Sequence, residues 1–207
     1  MKKIYLVLIL CLGLFITGCS STRLTSYIDP DFKNVTYNKL MIFADTNNIE
    51  SRTKFERIIV SQFADKSINA VSSLDIFPPT REIDSKEIPN ILAQNGIDGT
   101  LRFRETNFKT GSTYIPGQTY SNTYGNIIGN SVYTNTSSYT TPGYNINNVN
   151  ATYEVKIIDA KTEKTAWIAT ANTNGESVSG LEELARSFGN GLIEKLQVDN
   201  MIPTYKK

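Results

Sequence analysis

Between Gly111 and Asn150 the chain carries no charged residue, and 34 of those 40 residues are Gly, Pro, Ser, Thr, Asn, Gln or Tyr. So few apolar side chains cannot fill a core, so the fold has to be built from the segments on either side. The tract lies within a polar insertion spanning 107–150, which reads as a mobile loop or a long exposed hairpin. It holds six of the chain's eleven tyrosines. Tyrosine with Ser, Gly and Asn suits adaptable contact surfaces, because its ring supplies area at low entropic cost. Tyr120, Tyr124, Tyr133 and Tyr139 are the candidate partner contacts.

A second constraint sits at the N-terminus. Lys2 and Lys3 precede 13 uncharged apolar residues, Ile4 to Ile16. That length falls in the range of about 7–15 residues for the apolar part of a secretory signal. It is short of the roughly 20 residues a bilayer-spanning helix needs. The stretch ends in Ile16-Thr17-Gly18-Cys19, which resembles the lipobox of bacterial lipoproteins: an aliphatic residue, two small residues and a cysteine. The resemblance implies cleavage between Gly18 and Cys19, with lipid on the Cys19 thiol and then on its new amine. Three acyl chains would make a stable membrane anchor. Ser20 in the second mature position resembles the outer-membrane class of these lipoproteins, which points to a domain facing the periplasm.

Removing 18 of the 207 residues leaves 189, enough for one domain with a real core. The expected organisation is a signal peptide at 1–18, a lipidated tether at 19–35, one α/β domain at 36–202 and a tail at 203–207. The 19 remaining basic residues balance 20 acidic ones, which gives no electrostatic reason to expect nucleic acid as a partner. Cys11 leaves with the signal and lipid consumes Cys19, so no disulfide is available.

Patterning supplies the elements. Lys39 to Ala44 reads as a buried strand and Leu74 to Phe77 as another. Between them Ile49 to Val71 reads as a helix capped by Asn47 and Glu50, with Phe55, Ile58, Ile59 and Phe63 inward. Arg52, Lys54, Glu56 and Lys66 are predicted to face solvent. A second helix over Asp84 to Asn95 is stopped by Asn95-Gly96, and Pro89 either starts its regular part or kinks it. Leu101 and Phe103 alternate with Arg102 and Arg104 in a half-exposed strand, Asp98 to Thr106. Ala151 to Ala160 and Glu163 to Ala171 form a hairpin, in whose first strand Tyr153, Val155 and Ile157 alternate with Glu154 and Lys156. Ser179 and Glu182 cap a last helix whose inward residues are Leu181, Leu184, Phe188, Leu192 and Leu196. The sequence therefore predicts an α/β (α+β) fold, a mixed sheet covered by about three helices, in the order β-α-β-α-β-(insertion)-β-β-α.

Three segments, KLMIFADTNNIESRTKFERIIVSQF, NGIDGTLRF and YEVKIIDAKTEKTAW, resemble envelope lipoproteins. The element order is similar to that of the lipoprotein activators of penicillin-binding proteins, the curli-secretion lipoprotein and the N-terminal domain of the Tol-system β-propeller protein. The resemblance implies an envelope scaffold that binds an envelope protein or cell-wall partner. It carries over no functional residue beyond Cys19.

Catalytic chemistry finds little support. The chain has no histidine, which removes the commonest general base and transition-metal ligand. No metal site or cofactor is expected. Ser51-Arg52-Thr53-Lys54 and Lys109-Thr110-Gly111 match short motifs of penicillin-binding enzymes, but the middle motif, at Tyr133-Thr134-Asn135, falls out of order. Glu182 and Glu183 are helix neighbours that point apart. Trp167 reads as a core or hairpin anchor rather than a sugar platform. The sequence favours a non-enzymatic accessory or binding factor. The alternatives are a peptidoglycan-active hydrolase using carboxylates and a surface adhesin built on the tyrosine-rich insertion.

Overall fold

The computed structural model describes residues 21–128, 131–176 and 180–204, and within these no side chain of 123–135 or 176–181 is considered. Gly18, Cys19 and Ser179 lie outside the described residues, as do the side chains of Tyr124 and Tyr133.

Six strands form one mixed sheet in the order β1-β8-β7-β4-β2-β3. They are β1 (Ser21–Ile28), β2 (Lys39–Ala44), β3 (Asn69–Ser72), β4 (Gly99–Ile115), β7 (Tyr144–Asp159) and β8 (Thr165–Glu176). β2 pairs in parallel with β3 and β4, while β4, β7, β8 and β1 pair antiparallel in turn. Two long helices, α1 (Ile49–Asp65) and α4 (Gly180–Val198), and two short ones, α2 (Ser73–Ile76) and α3 (Ile88–Gln94), complete the body. This is the mixed α/β class that the sequence predicts.

The crossovers explain which face each helix covers. From β2 the chain passes through α1 to β3, then back past β2 through α3 to β4. Right-handed crossovers moving in opposite directions must use opposite faces of the sheet. Accordingly Ile59 and Phe63 of α1 pack with Leu40 and Ile42, whereas Leu92 of α3 packs with Met41, the residue between them. α4 joins α1 on the first face. Its Phe188 is fully buried and meets Phe55, Phe103 and Tyr153 at ring-centroid distances of 4.8 to 5.7 Å.

Gly189 lets the two long helices meet. A Cβ there would strike the side chains of Gln62 and Ile59, so the usual helical cost of glycine, about 1 kcal/mol, is offset by close packing. Three helices stop in the same way. A residue with positive φ (Ser67, Gly96, Asn200) is followed by a buried one whose N–H reaches back five residues: Ile68 to Phe63, Ile97 to Leu92 and Met201 to Leu196. This left-handed cap satisfies otherwise orphaned carbonyls.

Several sequence expectations need correction. Residues 21–28, expected within the tether at 19–35, are the edge strand β1, with Thr22, Leu24, Ser26 and Ile28 turned toward α4 and Ser21, Arg23, Thr25 and Tyr27 exposed. An edge strand buries only one face and that face holds two apolar residues, so its alternation is faint. Leu74–Phe77 is not a strand: α2 occupies Ser73–Ile76, and the strand lies just before it. α1 ends at Asp65 rather than Val71, and it is capped by Asn48, whose side chain accepts from Ser51 N at 2.8 Å, rather than by Asn47. Pro89 starts the regular helix, in its first turn.

Glu56 is the largest correction. Expected on the solvent face, it is fully buried. Its carboxylate accepts from Ala44 N (3.0 Å), Ser72 Oγ (2.6 Å), Ser73 Oγ (2.8 Å), Leu74 N (3.4 Å) and Arg52 Nε (3.0 Å). A buried charge is tolerable only when paired and hydrogen-bonded, and here it ties β2, β3 and α2 to α1.

The insertion is a long two-stranded ribbon. β4 and β7 stay paired as far as Ile115 and Tyr144. Beyond them β5 (Thr119–Ile128) and β6 (Ser131–Thr140) form a separate antiparallel pair. Pro116-Gly117 and Pro142-Gly143 face each other where one pairing stops and the next begins. A Cβ on Gly117 would strike Thr141 O, and one on Gly143 would meet Ile115 O as well as the Tyr114 ring, so both glycines are required at this crease.

Candidate functional site

Two surfaces merit attention, one expected from the sequence and one not. The expected one is the ribbon. Tyr120 pairs directly with Tyr139, Tyr124 with Asn135 and Tyr133 with Asn126. Directly paired residues share a face and strand residues alternate, so positions 120, 124, 133 and 139 all fall on one face. Thr119/Thr140 and Ser121/Ser138 occupy the other. Tyr120 and Tyr139 are 57% and 67% exposed, and Tyr120 Oη donates to Gln118 Oε1 at 2.6 Å.

The unexpected surface is the part of the sheet that α2 and α3 leave open. Across it run two rungs: Phe43, Arg102, Lys156, Ile168 and Tyr27, then Arg104, Glu154, Thr170 and Thr25. Arg102 directly opposes Lys156, an unfavourable pairing of like charges. Two carboxylates relieve it. Asp45 Oδ2 lies 2.6 Å from Arg102, and Glu154 Oε1 lies 2.9 Å from Lys156 and 3.5 Å from Arg104. These five side chains enclose a recess of about 90 Å³ with a surplus of one positive charge. Arg102 also borders a wider cleft of about 690 Å³, whose apolar wall includes Met41, Phe77, Ile88 and Leu92. In it the Arg52 guanidinium lies 4.6 Å from the centre of the Phe43 ring, with Arg102 at 5.7 Å. Both distances suit cation–π attraction.

Exposed ion pairs contribute about 0–1 kcal/mol each, so this strip adds little to stability. A ligand carboxylate or a partner's charged groups can replace those partners at small cost. The arrangement can bind charged groups, but Glu154 is not held as a proton donor. The hydrogen bond from Lys156 holds the Glu154 carboxyl below its usual range against the opposing effect of burial, and the charges of Lys156, Arg104 and Arg102 add to the lowering. Glu154 is therefore an ion at neutral pH, whereas a general acid needs a raised pKa. Burial raises the phenols of Tyr37 and Tyr153 far above their ordinary value, with Asp159 and Glu105 adding to it. Neither supplies a phenolate at neutral pH.

The remaining sequence candidates fall in separate places. Lys54 pairs with Glu50 rather than Ser51, and Lys109 stands on β4 opposite Asn150, on a different element from Ser51. Glu182 pairs with Arg186 on the surface. Trp167 is 1% exposed, and its Nε1 donates to Asp199 Oδ2 at 2.7 Å. Asp199 also accepts from Ser26 Oγ at 2.6 Å and Lys195 Nζ at 2.8 Å, joining β1, β8 and α4. No three His, Cys, Asp or Glu side chains gather as a metal-binding group among the described residues. Sequence reading found Arg102, Arg104, Glu154 and Lys156 as exposed positions of two strands. Only the register of β4 against β7 brings them together.

No family model matches the chain, and no curated protein matches it. Among solved structures it is similar to the PelC dodecamer from Paraburkholderia phytofirmans, at 14% identity, covering 89% of this chain and 99% of that one with a TM-score of 0.45. It is also similar to lipoprotein GNA1162 from Neisseria meningitidis, at 9% identity, covering 77% of this chain and 98% of that one with a TM-score of 0.41.

Proposed function

We propose that this chain is a lipid-anchored envelope lipoprotein acting as a non-enzymatic accessory or binding factor, held through Cys19 to the outer membrane and facing the periplasm. The observation that carries the reading is the run of two lysines, 13 apolar residues and Ile16-Thr17-Gly18-Cys19, which places a thiol where lipid attachment and cleavage would occur. The open charged face and the tyrosine face of the ribbon are the two surfaces offered to envelope components. Glu154, held ionised, lacks the proton that a carboxylate hydrolase would need from it.

The test is Cys19→Ser, followed by labelling of cells with a palmitate analogue. Serine cannot form the thioether that precedes cleavage, so the expected result is an unlabelled, uncut precursor. Equal label on wild type and variant would overturn the proposal.

A further inference from the structure

The sheet register fixes where the ribbon stands relative to the anchor. Ser21 lies opposite Asn174, Asn174 opposite Asn150 and Asn150 opposite Lys109, so these four residues mark one level across β1, β8, β7 and β4. Cys19 is two residues before Ser21, which limits its reach from that level to about 7 Å. β1 leads away from the anchor, and β4, antiparallel to it through two intervening strands, leads toward it. β4 crosses the level at Lys109 and continues to Ile115, about 20 Å further at roughly 3.4 Å per residue. β5 and β6 then add ten residues each. The ribbon thus projects beyond the end of the sheet to which the lipid would be attached.

The charge pattern changes at the same level. Lys109 is the last charged residue before Glu154, so every ribbon residue past the level of Ser21 is uncharged. Among the described residues near that level, charges of both signs lie on several elements: Lys109 on β4, Arg23 on β1, and Glu182, Glu183 and Arg186 in the first turns of α4.

We infer that the ribbon, described over 111–128 and 131–148, rests on the membrane holding Cys19, at the level of the lipid headgroups, with Tyr120 and Tyr139 toward the lipid. The inference rests on the lipid-anchor reading and names the envelope component that the tyrosines meet. Tyrosine, with an apolar ring and a polar tip, is enriched at that depth. Deeper insertion of a single ribbon is disfavoured, because the outer edges of β5 and β6 would leave N–H and C=O groups unpaired in hydrocarbon. Cys19 reaches about 7 Å past that level and Ile115 lies about 20 Å past it, so the sheet would tilt on the surface, bringing the ribbon down along the headgroups.

The experiment uses the full, lipidated chain in vesicles of zwitterionic phosphatidylcholine. Cys11 leaves with the signal and Cys19 carries lipid, so Tyr120→Cys, Tyr139→Cys and Lys161→Cys each provide one site for a polarity-sensitive dye. Lys161 lies in the β7–β8 turn at the opposite end of the sheet. The expected result is a blue shift at positions 120 and 139, with stronger quenching by nitroxides near the headgroups than by nitroxides deep in the acyl chains, and neither effect at 161. Dyes at 120 and 139 as wet as the one at 161, on protein that floats with the vesicles, would overturn the inference and leave the anchor standing. Stronger quenching by the deep nitroxide would also overturn it, in favour of a ribbon that enters the hydrocarbon. Protein that neither floats nor takes palmitate would overturn the anchor reading itself.

Discussion

The body and the ribbon are both largely β-structure, yet different forces hold them. In the body, strands are covered by apolar helix faces, and its deeply buried carboxylate, Glu56, is saturated with donors. In the ribbon no described side chain from 111 to 148 is buried. Its order comes from backbone pairing and from cross-strand contacts such as the 3.0 Å hydroxyl pair of Thr119 and Thr140. A two-stranded hairpin alone is at best marginally stable in water. Secondary structure and contribution to the fold are therefore separable here, so changes in the body should be costly and changes in the ribbon cheap.

Phe188→Ala should break the body most severely. It removes a fully buried ring from the contact with Phe55, Phe103 and Tyr153, at an expected cost of about 3–5 kcal/mol. Stabilities of whole domains are about 5–15 kcal/mol, so a large fall in the urea midpoint should follow. An unchanged midpoint would show that the ring does not carry the core.

Glu56→Gln should come next, at about 2–3 kcal/mol, because hydrogen bonds to a charged acceptor are the strong ones. The amide keeps the shape but turns an NH2 group toward donors and leaves Arg52 without its ion-pair partner. The same urea titration measures it.

Asp199→Asn should have a smaller effect that depends on pH. Burial raises the Asp199 carboxyl, but hydrogen bonds from Lys195, Ser26 and Trp167, with the Lys195 charge, outweigh it and leave the pKa lowered. A carboxylate depressed in the folded state contributes stability that is present above its unfolded pKa and lost as pH falls through the folded one. The difference between wild type and Asp199→Asn should therefore be full at neutral pH and shrink below the ordinary carboxylate range. A difference independent of pH would contradict the assignment.

The same contrast governs what could be read from the sequence. β2, β4, α1, α4 and the β7–β8 hairpin were legible because one buried face imposes a period of two or 3.6 on apolar residues. β1 was not, since only Leu24 and Ile28 mark its inward side. Leu74-Asp75-Ile76-Phe77 was misread because a short apolar run fits a strand or a helical turn equally well. Glu56 was misread because charge at a helical position suggests solvent until the donors of β2, β3 and α2 are brought around it. The tyrosines were legible as a composition, but their common face follows from the β5–β6 register. The charged strip was legible only as exposed positions, since cross-strand register is not written in either strand alone.

The division between body and ribbon is tested most directly by replacing Gly111 to Asn148 with a short Gly-Ser turn and measuring unfolding in urea. Loop length alters closure entropy only slowly, and the cut leaves Val149, Ala151 and their ladder to β8 in place. The expected result is one cooperative transition within about 1 kcal/mol of wild type, since each doubling of loop length changes closure by only about 0.6 kcal/mol. Loss of the cooperative transition would show instead that the ribbon is part of the fold.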